Sequence, residues 1–146
     1  MRKTIDRFWA GFMGSLLLIT VMYLMEVFNL SGNPGFVHIY HAVFGNHYFW
    51  VDNLMAALLF AVSGGIWGTI FGLVPRPTPL RGILFGLAPS FWTWIVVLPF
   101  IGAPFFSGFT LRGILWPLVF NCLIWGSFVG WYCKTFVDPP RERIIG

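Results

Sequence analysis

The chain has 146 residues; 58% are hydrophobic, only 10% are charged, and the mean hydropathy is +0.79. Soluble domains carry roughly 25% charge, so this chain has too few charges to cover a water-facing surface, and a soluble globule is excluded. The same apolar composition excludes disorder. What remains is a small integral membrane protein.

Crossing a hydrocarbon layer of about 30 Å takes about 20 consecutive apolar residues in a helix. Four stretches reach that length: Phe8 to Phe28, Asn53 to Val74, Gly82 to Ala103 and Gly113 to Cys133. The first carries one acid, Glu26, near its far end, and the other three contain no charged residue. Strands do not fit, because period-two alternation is absent and a membrane barrel needs about eight of them. In lipid every backbone amide needs an internal partner, which selects helices. The fold class is therefore an all-α membrane protein, one four-helix domain over residues 1–146.

Basic residues set the orientation. Arg2, Lys3 and Arg7 precede the first span, Arg76 and Arg81 separate the second from the third, and Lys134, Arg141 and Arg143 follow the fourth. When the spans alternate, Arg112 alone falls on the opposite side. The positive-inside rule then places both termini in the cytoplasm of a multi-pass inner (plasma) membrane protein. The net charge of +4 reflects this topology, and no nucleic-acid partner is read from it. Met1 to Arg7 and the apolar run behind it are read as an uncleaved first helix. The run is too long for a signal-peptide core and no A-x-A-like site ends it.

The connection between the first and second spans is long, aromatic and rich in histidine. Asn33 as N-cap, Pro34 as first helical residue and Gly45-Asn46 as stop predict a short outer interfacial helix over 34–44. At 100° per residue Phe36, Ile39, Tyr40, Val43 and Phe44 share one face, which predicts that they are buried. His38 and His41 fall opposite, toward water or a partner. Tyr48, Phe49 and Trp50 read as an interfacial anchor leading into the second span.

Small residues four apart mark the helix contacts: Ala10 and Gly14; Gly64, Gly68 and Gly72; Gly82 and Gly86; Gly126 and Gly130. Such pairs lie on one face and let backbones approach closely. The three-glycine stripe predicts that the second span is the centre of the bundle. Pro89 is expected to kink the third span, with Ser90 or Thr93 relieving a freed carbonyl, and Pro117 to fall in the first turn of the fourth. The turn Pro75-Arg76-Pro77-Thr78-Pro79 makes spans two and three antiparallel neighbours. Leu80-Arg81-Gly82-Ile83-Leu84 recurs as Leu111-Arg112-Gly113-Ile114-Leu115, which is read as either an inverted duplication or a repeated helix-start solution.

Few residues carry chemistry. His38, His41 and His47, with Glu26 and Asp52 near in sequence, are candidate cofactor ligands for a haem, metal or pigment, although their spacing matches no zinc or copper pattern and no defined metal site is expected. Asn121 is the candidate buried polar group, bonding across helices. Trp67, Trp92, Trp94 and Trp125 are deep rings able to stack on a ligand or fill contacts with lipid and neighbours. Cys122 and Cys133 lie eleven residues apart on one helix, about 16 Å in rise, too far to bridge.

The glycine-striped second span, the proline turn, the Leu-Arg-Gly-Ile-Leu opening of the third span and the outer amphipathic segment together resemble a group of small bacterial four-helix integral membrane proteins. That resemblance implies a fold and no activity. With no nucleophile–base motif or carboxylate pair, the expected function is non-enzymatic: an accessory or scaffolding subunit of a larger membrane assembly in bacterial energy transduction, partnered by the bilayer and by proteins. The alternatives are a cofactor-binding electron-transfer protein, its cofactor unspecified, and a small oligomeric transporter or channel.

Overall fold

The computed structural model describes residues 1–32 and 34–139; Asn33, the expected cap, and the basic residues Arg141 and Arg143 lie outside that range. The described residues form five α-helical segments, a short 3-10 turn over Phe105–Phe109, and no strand. These are α1 (Arg2–Val27), α2 (Gly35–Phe44), α3 (Phe49–Phe71), α4 (Pro79–Phe100) and α5 (Leu111–Val137). The four long ones are long and apolar enough to cross a membrane, and α2 is the shorter apolar helix between the first and second. All four begin two to six residues before the apolar stretches that announce them, because the backbone ladder continues through the polar turn at the interface.

Two of these starts are capped in the same way. Thr78 accepts a hydrogen bond from the Arg81 amide at 3.2 Å, and Thr110 accepts one from the Gly113 amide at 3.2 Å. The cap falls on the third helical amide of each helix, but on Arg81 of one Leu-Arg-Gly-Ile-Leu copy and on Gly113 of the other, one residue out of register with the repeat. The glycines of the two copies have different roles. Gly82 packs on the Gly126 backbone, whereas Gly113 faces the Ser107 and Thr110 side chains.

The long helices form two close pairs. In one, α1 meets α3 where Gly11 lies against Gly64 and Gly68; a methyl group on Gly68 would stand 2.7 Å from the Gly11 Cα. In the other, α4 meets α5 where Gly82 and Gly86 lie against Gly126, Gly130 and the Asn121–Cys122 backbone. Lipid supplies no hydrophobic force between helices, so such contacts are a principal source of association. Helix α1 also joins the pairs: Gly14 sits against Trp125, Phe128 and Val129, and the Trp125 indole donates to the Gly11 carbonyl at 3.0 Å. The buried cluster of Ala10, Leu18, Phe71, Trp125, Val129 and Cys133 fills this junction.

The centre of the bundle is therefore shared by α1 and α5, each packed on two long helices, and the expectation for α3 is corrected. Helix α1 carries two small-residue stripes, Gly11 with Ser15 toward α3, and Ala10 with Gly14 toward α5. Helix α3 directs its glycines at one neighbour only. It returns antiparallel to α4 across the short turn, but large rings hold the two apart: Trp67 lies 6.1 Å from Phe85 and 6.4 Å from Trp92, and Phe71 lies 5.2 Å from Phe85, centroid to centroid.

The prolines act differently from expectation as well. Helix α5 begins at Leu111, so Pro117 lies inside it, not in its first turn. Its missing N–H leaves the Gly113 carbonyl without its helical donor, and the Trp94 indole of α4 fills that role at 3.1 Å. Beyond Pro117 the ladder widens to π-type over Val119–Gly126, and α4 does the same over Thr93–Val97 after Pro89. Thr93 donates to the Pro89 carbonyl and Ser90 to the carbonyls of Gly86 and Pro117. Neither hydroxyl reaches Phe85, whose carbonyl Pro89 leaves free.

Candidate functional site

The wide spacing of α3 and α4 leaves a cavity of about 250 Å³ to which all five helices contribute. Ser15, Ser63, Thr93 and Asn121 give it a sparse polar lining, Trp67, Trp92 and Trp125 form its aromatic walls, and Phe36, Ile39, Tyr40 and Phe44 of α2 cover it. A second cavity of about 400 Å³ lies beside it, between the ends of α1, α2 and α5. The two share Ile39, Phe60, Thr93 and Asn121, and the second reaches Arg112 and Ser31 at the α2 end.

Asn121 sits where the cavities meet because the π-type stretch of α5 rotates it toward α4. Its amide donates to the Ser90 hydroxyl at 3.1 Å, and that hydroxyl in turn donates to the Gly86 carbonyl at 2.9 Å. Ser90 is fully buried. The relay satisfies polar groups that lipid would otherwise leave bare, and it holds the Asn121 side chain on the cavity wall.

At the α2 end the structure separates the three histidines. His38 is exposed on the outer side of α2, and His47 is exposed in the connection to α3. His41 is turned inward instead of toward water, with Nε2 3.4 Å from Asp52 Oδ2 and buried without a hydrogen bond. Asp52, in the first turn of α3, is only 1% exposed, and its Oδ2 also accepts the His47 amide at 2.8 Å. Among the described residues no group of three or more His, Cys, Asp or Glu is arranged to hold a metal ion. Glu26 stands half-buried in the last turn of α1, apart from this contact.

With His41 facing Asp52, α2 is rotated relative to its expected face. Phe36 and Val37 are buried and Tyr40 is half-buried, while Val43 and Phe44 remain 45% and 56% exposed. Phe36 stacks on Phe60 at 5.0 Å and meets the Tyr23 ring edge-on at 5.9 Å. Tyr23 in turn donates to Asn53 Oδ1 at 2.7 Å, tying α1 to α3 beneath α2. Three features here escaped sequence reasoning: buried Asp52, the Tyr23–Asn53 bond and the Gly11–Ser15 stripe. Only the last had a readable signal, small residues four apart.

Comparison with protein-family models, with curated proteins and with solved structures found no match to this chain. The functional reading rests on the geometry above.

Proposed function

We propose that this protein is a non-catalytic membrane subunit that holds an amphiphilic, lipid-class molecule between its helices. The observation that carries the reading is the pair of joined cavities, apolar over most of their lining, with Asn121 and Thr93 where they meet and Arg112 at one mouth. Mostly apolar walls with a few placed polar groups are the usual make-up of a small-molecule site. The apolar part of the ligand lies among Trp67, Trp92 and Trp125, its polar end faces Asn121, and Arg112 favours a negative head group. An accessory place in a larger assembly, in energy transduction, is part of the same proposal. It is supported by exposed Tyr48, Phe49 and Trp50, which form an aromatic projection at the α2 end. The concentration of Arg2, Lys3, Arg7, Arg76, Arg81 and Lys134 at the end opposite α2 supports an inner-membrane orientation with cytoplasmic termini.

The test is extraction of the small molecules that accompany the purified protein in mild detergent, with identification by mass spectrometry. Wild-type protein is expected to carry a near-stoichiometric amphiphile. Ala56→Phe, which places a ring in the covered cavity, is expected to remove it while the protein still folds. Equal small-molecule content in both would end the binding reading. Co-purifying proteins from the same preparation test the subunit reading separately.

A further inference from the structure

At the termini end a different cavity, of about 650 Å³, opens between the α3–α4 turn and the end of α5. Its charged lining is Arg7, Arg76, Lys134 and Asp138, with Thr78 among them and Val74 and Pro139 as apolar wall. The carboxylate among these described residues is already engaged: Asp138 accepts Lys3 Nζ at 2.7 Å and Arg7 Nη2 at 2.9 Å. Arg81 is turned away onto the carbonyls of Pro75 and Arg76 and pins the turn. Arg76 and Lys134 are exposed and form no ion pair among the described residues. Arg76 also holds a left-handed backbone, φ 50°, which a long side chain adopts only at some cost. The prolines on either side and the Arg81 guanidinium keep it there.

We propose that this cavity binds the phosphate of an anionic phospholipid from the adjoining leaflet. The site stands at the ends of membrane-length helices, at head-group level, and among the described residues its uncommitted charge is positive. A planar guanidinium and an ammonium on opposite walls match a phosphate monoanion, Arg76 in two-pronged fashion and Lys134 as a point charge. Basic pockets between helix ends are the recognised sites for such head groups. The proposal is independent of the cavities beneath α2, and it holds for either orientation of the chain.

The experiment compares wild type, Arg76→Gln with Lys134→Gln, each single variant, and Arg2→Gln as a charge control outside the cavity. Each is held in neutral detergent with added phosphatidylglycerol, phosphatidylcholine or inorganic phosphate; retained lipid is read by native mass spectrometry and stability by thermal melting. Phosphatidylglycerol is expected to bind wild type and raise its melting temperature, with phosphatidylcholine and phosphate giving little. The double variant is expected to retain phosphatidylglycerol on the order of tenfold more weakly, each single variant to fall between, and Arg2→Gln to match wild type. If the double variant does not fold, the single variants decide. Undiminished retention in the variants, an equal effect of phosphatidylcholine, or equal protection by inorganic phosphate would each overturn the proposal, the last by making this a site for a free anion.

Discussion

Two carboxylates, at opposite ends of the molecule, show how differently charge is managed at the residue scale. Asp138 lies at the termini end, and the hydrogen bond from Lys3, joined by that from Arg7, holds its carboxyl below the usual carboxylate range. A carboxyl lowered on folding contributes stability above its unfolded value, near about pH 4, and loses it as pH falls through the lowered folded value. Wild-type stability is therefore expected to fall below about pH 4 more steeply than that of Asp138→Asn, the two converging in acid. Because Lys3 is 65% exposed, solvent screening limits the effect to about 1 kcal/mol; thermal melting across that pH range measures it. Asp52 is buried, and its removal has a different consequence. Asp52→Ala leaves the His47 amide and His41 Nε2 facing an empty site, at a cost of about 1–3 kcal/mol. Hydrogen exchange is expected to rise in α2 and in residues 45–48, while His38→Gln leaves it unchanged. Equal exchange in Asp52→Ala and wild type would show that the carboxylate does not hold α2.

At the scale of the element, glycine contacts decide which helices pair and aromatic rings decide which stand apart. Gly68→Leu is expected to part α1 from α3, and Gly82→Leu to part α4 from α5, each costing about 1–3 kcal/mol or more by overpacking. Leu87→Ile, a volume-conserving change, is expected to stay under about 1.5 kcal/mol. Melting of the three variants in one detergent checks the order, and a Gly68→Leu profile like wild type would show that this contact is dispensable. The prolines belong to the same scale. Trp94→Phe removes the donor that serves the Gly113 carbonyl in the first turn of α5, leaving a bare acceptor one turn before Pro117. A loss of about 1–3 kcal/mol is expected, with a larger effect than Trp9→Phe, whose ring is 48% exposed.

For the whole molecule the testable quantity is topology. Single cysteines at Gly35 and at Thr78, in a chain whose Cys122 and Cys133 are buried, are expected to react with a membrane-impermeant reagent from opposite sides, the first from outside. Reaction of both from one side would remove the four-span alternation. The same arrangement separates the two proposed sites. The joined cavities open toward α2 and Arg112, and the basic cavity opens between the turn after α3 and the end of α5.

The residue pattern alone set the number of long helices, their limits to within two turns, the presence of α2 and the clustering of basic residues at one end. Each of these depends on local composition: an apolar run long enough to cross lipid, a Thr cap, or a Gly stop such as Gly45 at φ 84°. Which helices lie at the centre was not local. Gly11 and Ser15 are as small as Ala10 and Gly14, and only the assembled bundle shows one stripe meeting α3 and the other α5. The burial of Asp52 and the inward turn of His41 likewise depend on two segments meeting that share no periodicity. The contact between His41 Nε2 and Asp52 Oδ2 at 3.4 Å joins α2 to α3, and the apolar pattern of α2 read alone would have turned His41 outward. The joined cavities and the basic cavity are spaces between elements, set by how far Trp67, Phe85 and Trp92 hold α3 from α4 and by where Arg81 fastens the turn. Spaces of that kind are decided by tertiary packing, because no single helix contains both of their walls.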